Sequence, residues 1–151
     1  MTGKLRRLLT GLLLLPALLP GFASALDFRS VASERAILYD APSLQAKRLY
    51  LVNRLYPVEV IVALEAFTKV RDSAGGLAWI ETKHLSSRRM VVVTVPLADV
   101  RQAADDRAAL AFQAERDVVL ELVEYAAAGW LKVRHQDGQT GFVRIAQVWG
   151  A

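Results

Sequence analysis

The chain has 151 residues, no cysteine, and 19 basic against 15 acidic side chains, a formal net charge of +4. The lack of cysteine excludes a disulfide framework, a thiolate metal site and a lipid anchor on cysteine. The basic excess is local: the first 25 residues hold three cations and no acid, so the remainder carries a net of +1 and offers no electrostatic ground for binding nucleic acid or anionic membranes.

Lys4, Arg6 and Arg7 open the chain, and Leu8 to Leu19 is apolar apart from Thr10, Gly11 and Pro16. Pro20-Gly21 interrupts any helix, and Ala23-Ser24-Ala25 presents small residues of the kind that precede a cleavage site. This layout predicts a secretory signal peptide over residues 1–25, cleaved after Ala25, and an exported, periplasmic mature chain. Retention as a membrane anchor is the alternative. The uncharged window is nearly long enough to span, but it contains two prolines and two glycines, so no stable membrane insertion is expected after cleavage.

From Leu26 onward the pattern is that of short β-strands rich in Val, Ile and Leu, with turn residues at intervals of about ten. Ala36 to Asp40, Arg48 to Val52, Pro57 to Leu64, Phe67 to Arg71 and Leu77 to Glu81 are the expected strands. Val58, Val60 and Val62 alternate onto one face of the third. Thr82 to Leu85 fits a single helical turn. Ser86 to Arg89 is polar and unpatterned, and it marks a boundary between units at 26–87 and 88–151.

The second half repeats the first. Lys69-Val70-Arg71 matches Lys132-Val133-Arg134, Trp79-Ile80 matches Phe142-Val143, and Val58, Val60 and Val62 match Val118, Leu120 and Leu122. The offset drifts only in loops, as a duplicated domain requires. Met90 to Val95 breaks the symmetry as a continuous apolar run whose counterpart, Phe28 to Ser33, is more polar. Left open, such a run would template edge pairing, so it is expected to be covered, as a strand bridging the two units.

The stretch from Gly129 to Val148 is the most informative. Leu131 and Val133 point to one side of a strand, with Trp130, Lys132 and Arg134 on the other. Asp137-Gly138 then signals a hairpin, and Val143 returns on the apolar side with Phe142 opposite. Trp130 therefore falls on the face that the core does not use.

The Gly-Trp-x-Lys-Val-Arg strand, the Asp-Gly turn and the Gly-Phe-Val strand before a helical turn resemble a bacterial Src-homology-3 (SH3-like) domain. Ala-Ile-Leu-Tyr-Asp at 36–40 and Tyr-Pro-Val-Glu-Val at 56–60 extend the resemblance to the first half, and so to almost the whole mature chain. The resemblance implies an all-β protein of two tandem, five-stranded, strongly bent barrels, exported to the cell envelope. It also implies a targeting module for cell-wall polymers. In the eukaryotic branch an aromatic groove takes polyproline. Its tryptophan matches Trp130 here and Phe67 in the first repeat. The proline and tyrosine it also needs are replaced by Arg144 and Gln147, and by Glu81 and His84, which argues against polyproline recognition.

No Ser-His-Asp or Cys-His arrangement, phosphate loop or zinc spacing is apparent, so no catalytic residue, metal site or cofactor is expected. Adjacent Asp105 and Asp106, with Arg101 and Arg107, read as solvated loop charges. Binding is the expected activity, through Tyr39, Phe67, Trp79, Trp130 and Phe142, with Lys132 and Arg134 placed to meet carboxylates and Lys69 and Arg71 as their first-repeat equivalents. Trp79 and Trp149 are expected to pack between the two units, and Trp130 to line a groove. Two functions follow. One is recognition of peptidoglycan peptide or glycan. The other is capture of an envelope polypeptide by a groove or by strand addition at Met90–Val95. The oligomeric state stays open.

Overall fold

A computed structural model describes residues 25–151; residues 1–24, and with them nearly all of the expected signal peptide, lie outside the described residues. The first unit contains β1 (Phe28–Val31), β2 (Arg35–Tyr39), β3 (Arg48–Asn53), β4 (Pro57–Ala63), β5 (Phe67–Arg71), β6 (Leu77–Glu81) and β7 (Leu85–Ser86). The second contains β8 (Met90–Val93), β9 (Leu97–Arg101), β10 (Leu110–Glu115), β11 (Val119–Tyr125), β12 (Trp130–Arg134), β13 (Thr140–Arg144) and β14 (Val148–Trp149). Single 310 turns, Thr82–His84 and Ile145–Gln147, precede β7 and β14. No helix among the described residues is long and apolar enough to cross a membrane.

The two sheets are antiparallel and share one topology: β3-β2-β6-β5-β4-β1-β7 and β10-β9-β13-β12-β11-β8-β14. Each therefore has seven strand segments, because the N-terminal strand and the short return strand also pair. Alternation places Val31, Leu38, Val58, Val70 and Ile80 in the first core, and Val93, Val100, Leu120, Val133 and Val143 in the second. The second core is the larger. Leu131 fills a position that Thr68 takes in the first unit, where its buried hydroxyl bonds Thr82 Oγ1 at 2.9 Å.

The duplication extends to backbone irregularities. The register slips between Val60 and Val62 in β4, and between Leu122 and Glu124 in β11, which bends both strands at the same point. Val58 and Val60 are thus equivalent to Leu120 and Leu122, not to Val118 and Leu120 as expected from sequence, and the slip turns Val62 out to solvent. Leu55 (φ 70°) and Asp117 (φ 69°) both take the left-handed conformation before the following strand. Their N–H groups donate to Val31 O at 2.8 Å and Val93 O at 2.9 Å. The turn at Asp137-Gly138 is a three-residue loop closed by His135 N to Gln139 O at 2.8 Å. Gly138 (φ 97°) alone takes positive φ there, and Gly75 (φ 89°) does so in the equivalent loop of the first unit.

The apolar run is covered, but not by bridging the units. Met90–Val93 is wholly buried as β8 and pairs inside the second sheet, with β11 on one side and β14 on the other. Strand addition at that edge is therefore closed, since both hydrogen-bonding rows are already used. β8 still touches β4 of the first unit, and further groups complete the contact between the units. Trp149 meets Phe28 edge-on at 5.0 Å, and Arg89 stacks on Phe28 while donating to Gly150 O at 3.1 Å. A Cβ on Gly150 would lie 2.6 Å from Met90 O and 3.2 Å from Pro57 Cβ, so only glycine permits this approach. Of the two tryptophans expected between the units, Trp149 is there and Trp79 is not.

Candidate functional site

Residues left over by the core alternation form an outer face on each sheet. In the first unit it carries Tyr39 from β2, Phe67, Lys69 and Arg71 from β5, and Trp79 and Glu81 from β6. Tyr39 meets Phe67 edge-on, with ring centroids 6.1 Å apart, and pairs with Trp79 across β2 and β6. The Lys69 ammonium lies 5.9 Å from the centre of the Trp79 ring. Little of Tyr39 and Phe67 is accessible, 3% and 9%. Trp79 is half-buried and is the aromatic surface of this face.

In the second unit the same positions hold Arg101, Trp130, Lys132, Arg134, Phe142 and Arg144. Trp130 does sit opposite Leu131 and Val133, outside the core cluster, but only 3% of it is accessible. The groove expected at Trp130 from sequence is therefore closed, a correction to that expectation. The cover is Arg144, its cross-strand partner, whose guanidinium lies 4.3 Å from the ring centre. Arg144 is held in turn by the carboxylate of Asp106 and by Ala128 O at 3.1 Å. The hydrogen bond from Arg144, and then the charges of Arg144 and Arg101, hold the Asp106 carboxyl below its ordinary range. Phe142, half-buried between Arg101 and Lys132, is the aromatic surface here.

Three of the four cations expected to meet ligand carboxylates, Arg71, Lys132 and Arg134, are paired with acids of the chain. Arg71 binds Glu59 at 2.9 Å and Arg134 binds Glu121 at 3.5 Å, at equivalent positions. Lys132 lies 3.9 Å from Glu124, the loosest of these pairs. Asp106 and Arg144 are what reasoning from sequence missed. Asp106 read as a solvated loop charge and Arg144 only as a departure from a polyproline groove. The available signal was the hairpin register, which sets Arg144 opposite Trp130.

Two further clefts occur at equivalent places beside the tight turns. One, of about 330 Å³, is lined by Phe112, Val118, His135 and Asp137; the other, of about 370 Å³, by Tyr50, Tyr56, Asp72 and Asp117. Their polar groups serve the fold. Asp72 accepts from Tyr50 Oη at 2.6 Å and from the N–H groups of Ala74 and Gly76, and burial followed by that bond raises the Tyr50 phenol above its usual range. His84 contacts Ser33 Oγ through Nδ1 and Glu81 at 3.4 Å through Nε2. This Ser-His-Glu grouping fastens the β1 exit to the 310 turn, where Ala32 N also donates to His84 O at 2.8 Å. No group of three or more metal-ligating side chains occurs among the described residues.

A duplicated, bent, antiparallel sheet with a 310 turn before its last strand defines the class as an SH3-like tandem. A family model for the bacterial SH3 domain matches residues 32–87 and again 94–150, so the chain belongs to that family of binding modules. Among solved structures it is similar to NlpC2 from Trichomonas vaginalis, at 12% identity and a TM-score of 0.39 over 83% of this chain and 48% of that one. It is likewise similar to NlpC1 from the same organism, at 14% identity and a TM-score of 0.38 over 89% of this chain and 50% of that one. The chain spans about half the length of these structures. No curated protein matches it.

Proposed function

We propose that the protein is an exported, periplasmic, non-enzymatic module that binds cell-wall polymer, peptidoglycan peptide or glycan, through the outer faces of its two sheets. The observation that carries this reading is the pairing of a half-buried aromatic with a cation at the same place in both units: Trp79 with Lys69, and Phe142 with Lys132. An aromatic plate suits a sugar ring or a peptide backbone, and the adjoining ammonium suits an acid. Membership of the bacterial SH3 family supports a binding role, and the charge pattern of residues 1–25 supports export.

Retention on purified sacculi is the test. Trp79→Ala with Lys69→Ala, and Phe142→Ala with Lys132→Ala, should each weaken retention about tenfold while thermal melting stays intact. Retention unaffected by both double variants contradicts the reading. Trp130→Ala is the poorer probe, because it also strips the support from Arg144.

A second reading, capture of a polypeptide by strand addition, is favoured by one observation at a different edge. β3 borders its sheet, and Leu49, Tyr50 and Leu51 are exposed on it. Leu51→Pro would abolish such capture and leave sacculus binding untouched.

A further inference from the structure

The Arg144 guanidinium is fixed on two sides. Its plane rests on Trp130, and Nη1 donates to Ala128 O at 3.1 Å. Ala128 takes the left-handed conformation (φ 55°, ψ 40°), unfavourable for alanine, and Gly129 (φ 79°) follows it. The chain thus accepts a strained turn that aims this carbonyl. What remains of the guanidinium is one edge, the parallel N–H groups of Nε and Nη2, whose spacing matches the two oxygens of a carboxylate. Asp106 lies on that edge, with Oδ1 3.2 Å from Nε and Oδ2 against Nη2. It comes from the loop between β9 and β10, 38 positions away in sequence, and its side chain remains 67% exposed. The first unit has no such fork, since Glu81 stands in the place of Arg144.

We infer that this edge of Arg144 is a carboxylate-binding site of the second unit, that Asp106 is its built-in stand-in ligand, and that the group it takes is the free C-terminal carboxylate of a peptide. The donor side is rigid and already shaped, while the acceptor is an exposed loop side chain. An ion pair with so exposed a partner contributes little by itself, so an incoming carboxylate replaces Asp106 at small cost. Arg101 is engaged by Asp99 at 2.9 Å and by Ala108 O at 2.8 Å, so the charge left when that carboxylate leaves is that of Arg144 itself. Phe142 and Lys132 adjoin on the same face, an apolar plate and a loosely paired cation that suit the chain behind the acid better than a lone ion. The inference rests on the wall-peptide reading above and names the group recognised.

The test follows the Trp130 indole N–H by NMR while N-acetyl-alanyl-alanine, with a free C-terminus or as its C-terminal amide, is titrated into the whole protein. The acid should shift the Trp130 resonance and the amide should not. Asp106→Ala should tighten binding of the acid about two- to fivefold by removing the competitor. Arg144→Lys, which keeps the charge and loses the fork, should weaken it about tenfold or more. Equal responses to acid and amide, or unchanged affinity in Asp106→Ala, overturn the inference; the first uses only the native protein. Arg144→Lys that binds the acid and sacculi as the native protein does removes this site and leaves the wall reading standing. Acid-selective binding without any retention on sacculi keeps the site and removes the wall reading.

Discussion

Where the first unit carries Tyr39, Phe67, Trp79 and Glu81, the second carries Arg101, Trp130, Phe142 and Arg144. The backbone beneath is the same in strand order, in the position of the bulge and in the left-handed residue before the fourth strand. What differs is how each face closes over its innermost ring. Phe67 is covered by another aromatic, Tyr39, so the first face is closed by apolar contact. Trp130 is covered by a guanidinium that a loop carboxylate holds in place, so the second face is closed by a polar latch. Duplication kept the frame and diversified the surface. Binding differences between the units are then to be sought in side chains on β6 and β13, not in the fold.

The largest expected effect tests the shared frame. Val133→Asp puts an unpaired charge among wholly buried neighbours and should cost roughly 3–5 kcal/mol, unfolding the second unit. Val70→Asp should do the same to the first, and a melting curve unchanged by either variant would show that the strand phase is wrong. Next comes the latch. Glu81, Asp106 and Asp137 all lie below the ordinary carboxylate range, through hydrogen bonds chiefly from Lys83, from Arg144 and from the Gln139 N–H respectively. Lowered carboxylates contribute stability that is fully present above the unfolded value of about 4 and is lost as pH falls through the folded value. The melting temperature should therefore hold from neutral to about pH 5 and decline below about pH 4. Asp106→Asn should flatten part of that decline; a decline that begins near neutrality would assign it to other groups. The smallest effect concerns the paired left-handed residues. Leu55→Gly relieves backbone strain of about 1 kcal/mol but loosens the unfolded chain, for a net gain of roughly 0.5 kcal/mol visible as a slightly raised melting temperature.

The frame was legible in the sequence because it depends on local alternation. The expected strands, the turn before the last strand and the doubling all follow from the spacing of Val58, Val70, Ile80 and their counterparts, which the core clusters contain or adjoin. The Asp137-Gly138 turn was legible as a hairpin, though the loop it makes has three residues and needs positive φ only at Gly138. Partners brought from afar were not legible. The side of the strand that Trp130 occupies follows from its neighbours, but its burial depends on Arg144 and, through Arg144, on Asp106 from a loop that alternation does not describe. Met90–Val93 was recognisable as buried, yet which strands cover it depends on pairing over long sequence separations. Trp79 and Trp149 look alike in sequence, and only the neighbour Phe28 separates the one between the units from the one on the outer face.

Chemical-shift mapping of the whole protein with soluble peptidoglycan fragments tests the outer-face proposal most directly. The expected result is perturbation centred on Lys69 and Trp79 in the first unit and on Lys132, Phe142 and Arg144 in the second, with the second responding to fragments that carry a free carboxylate. Perturbations confined to the Leu49–Leu51 edge, or none at fragment concentrations that saturate sacculus binding, would contradict it.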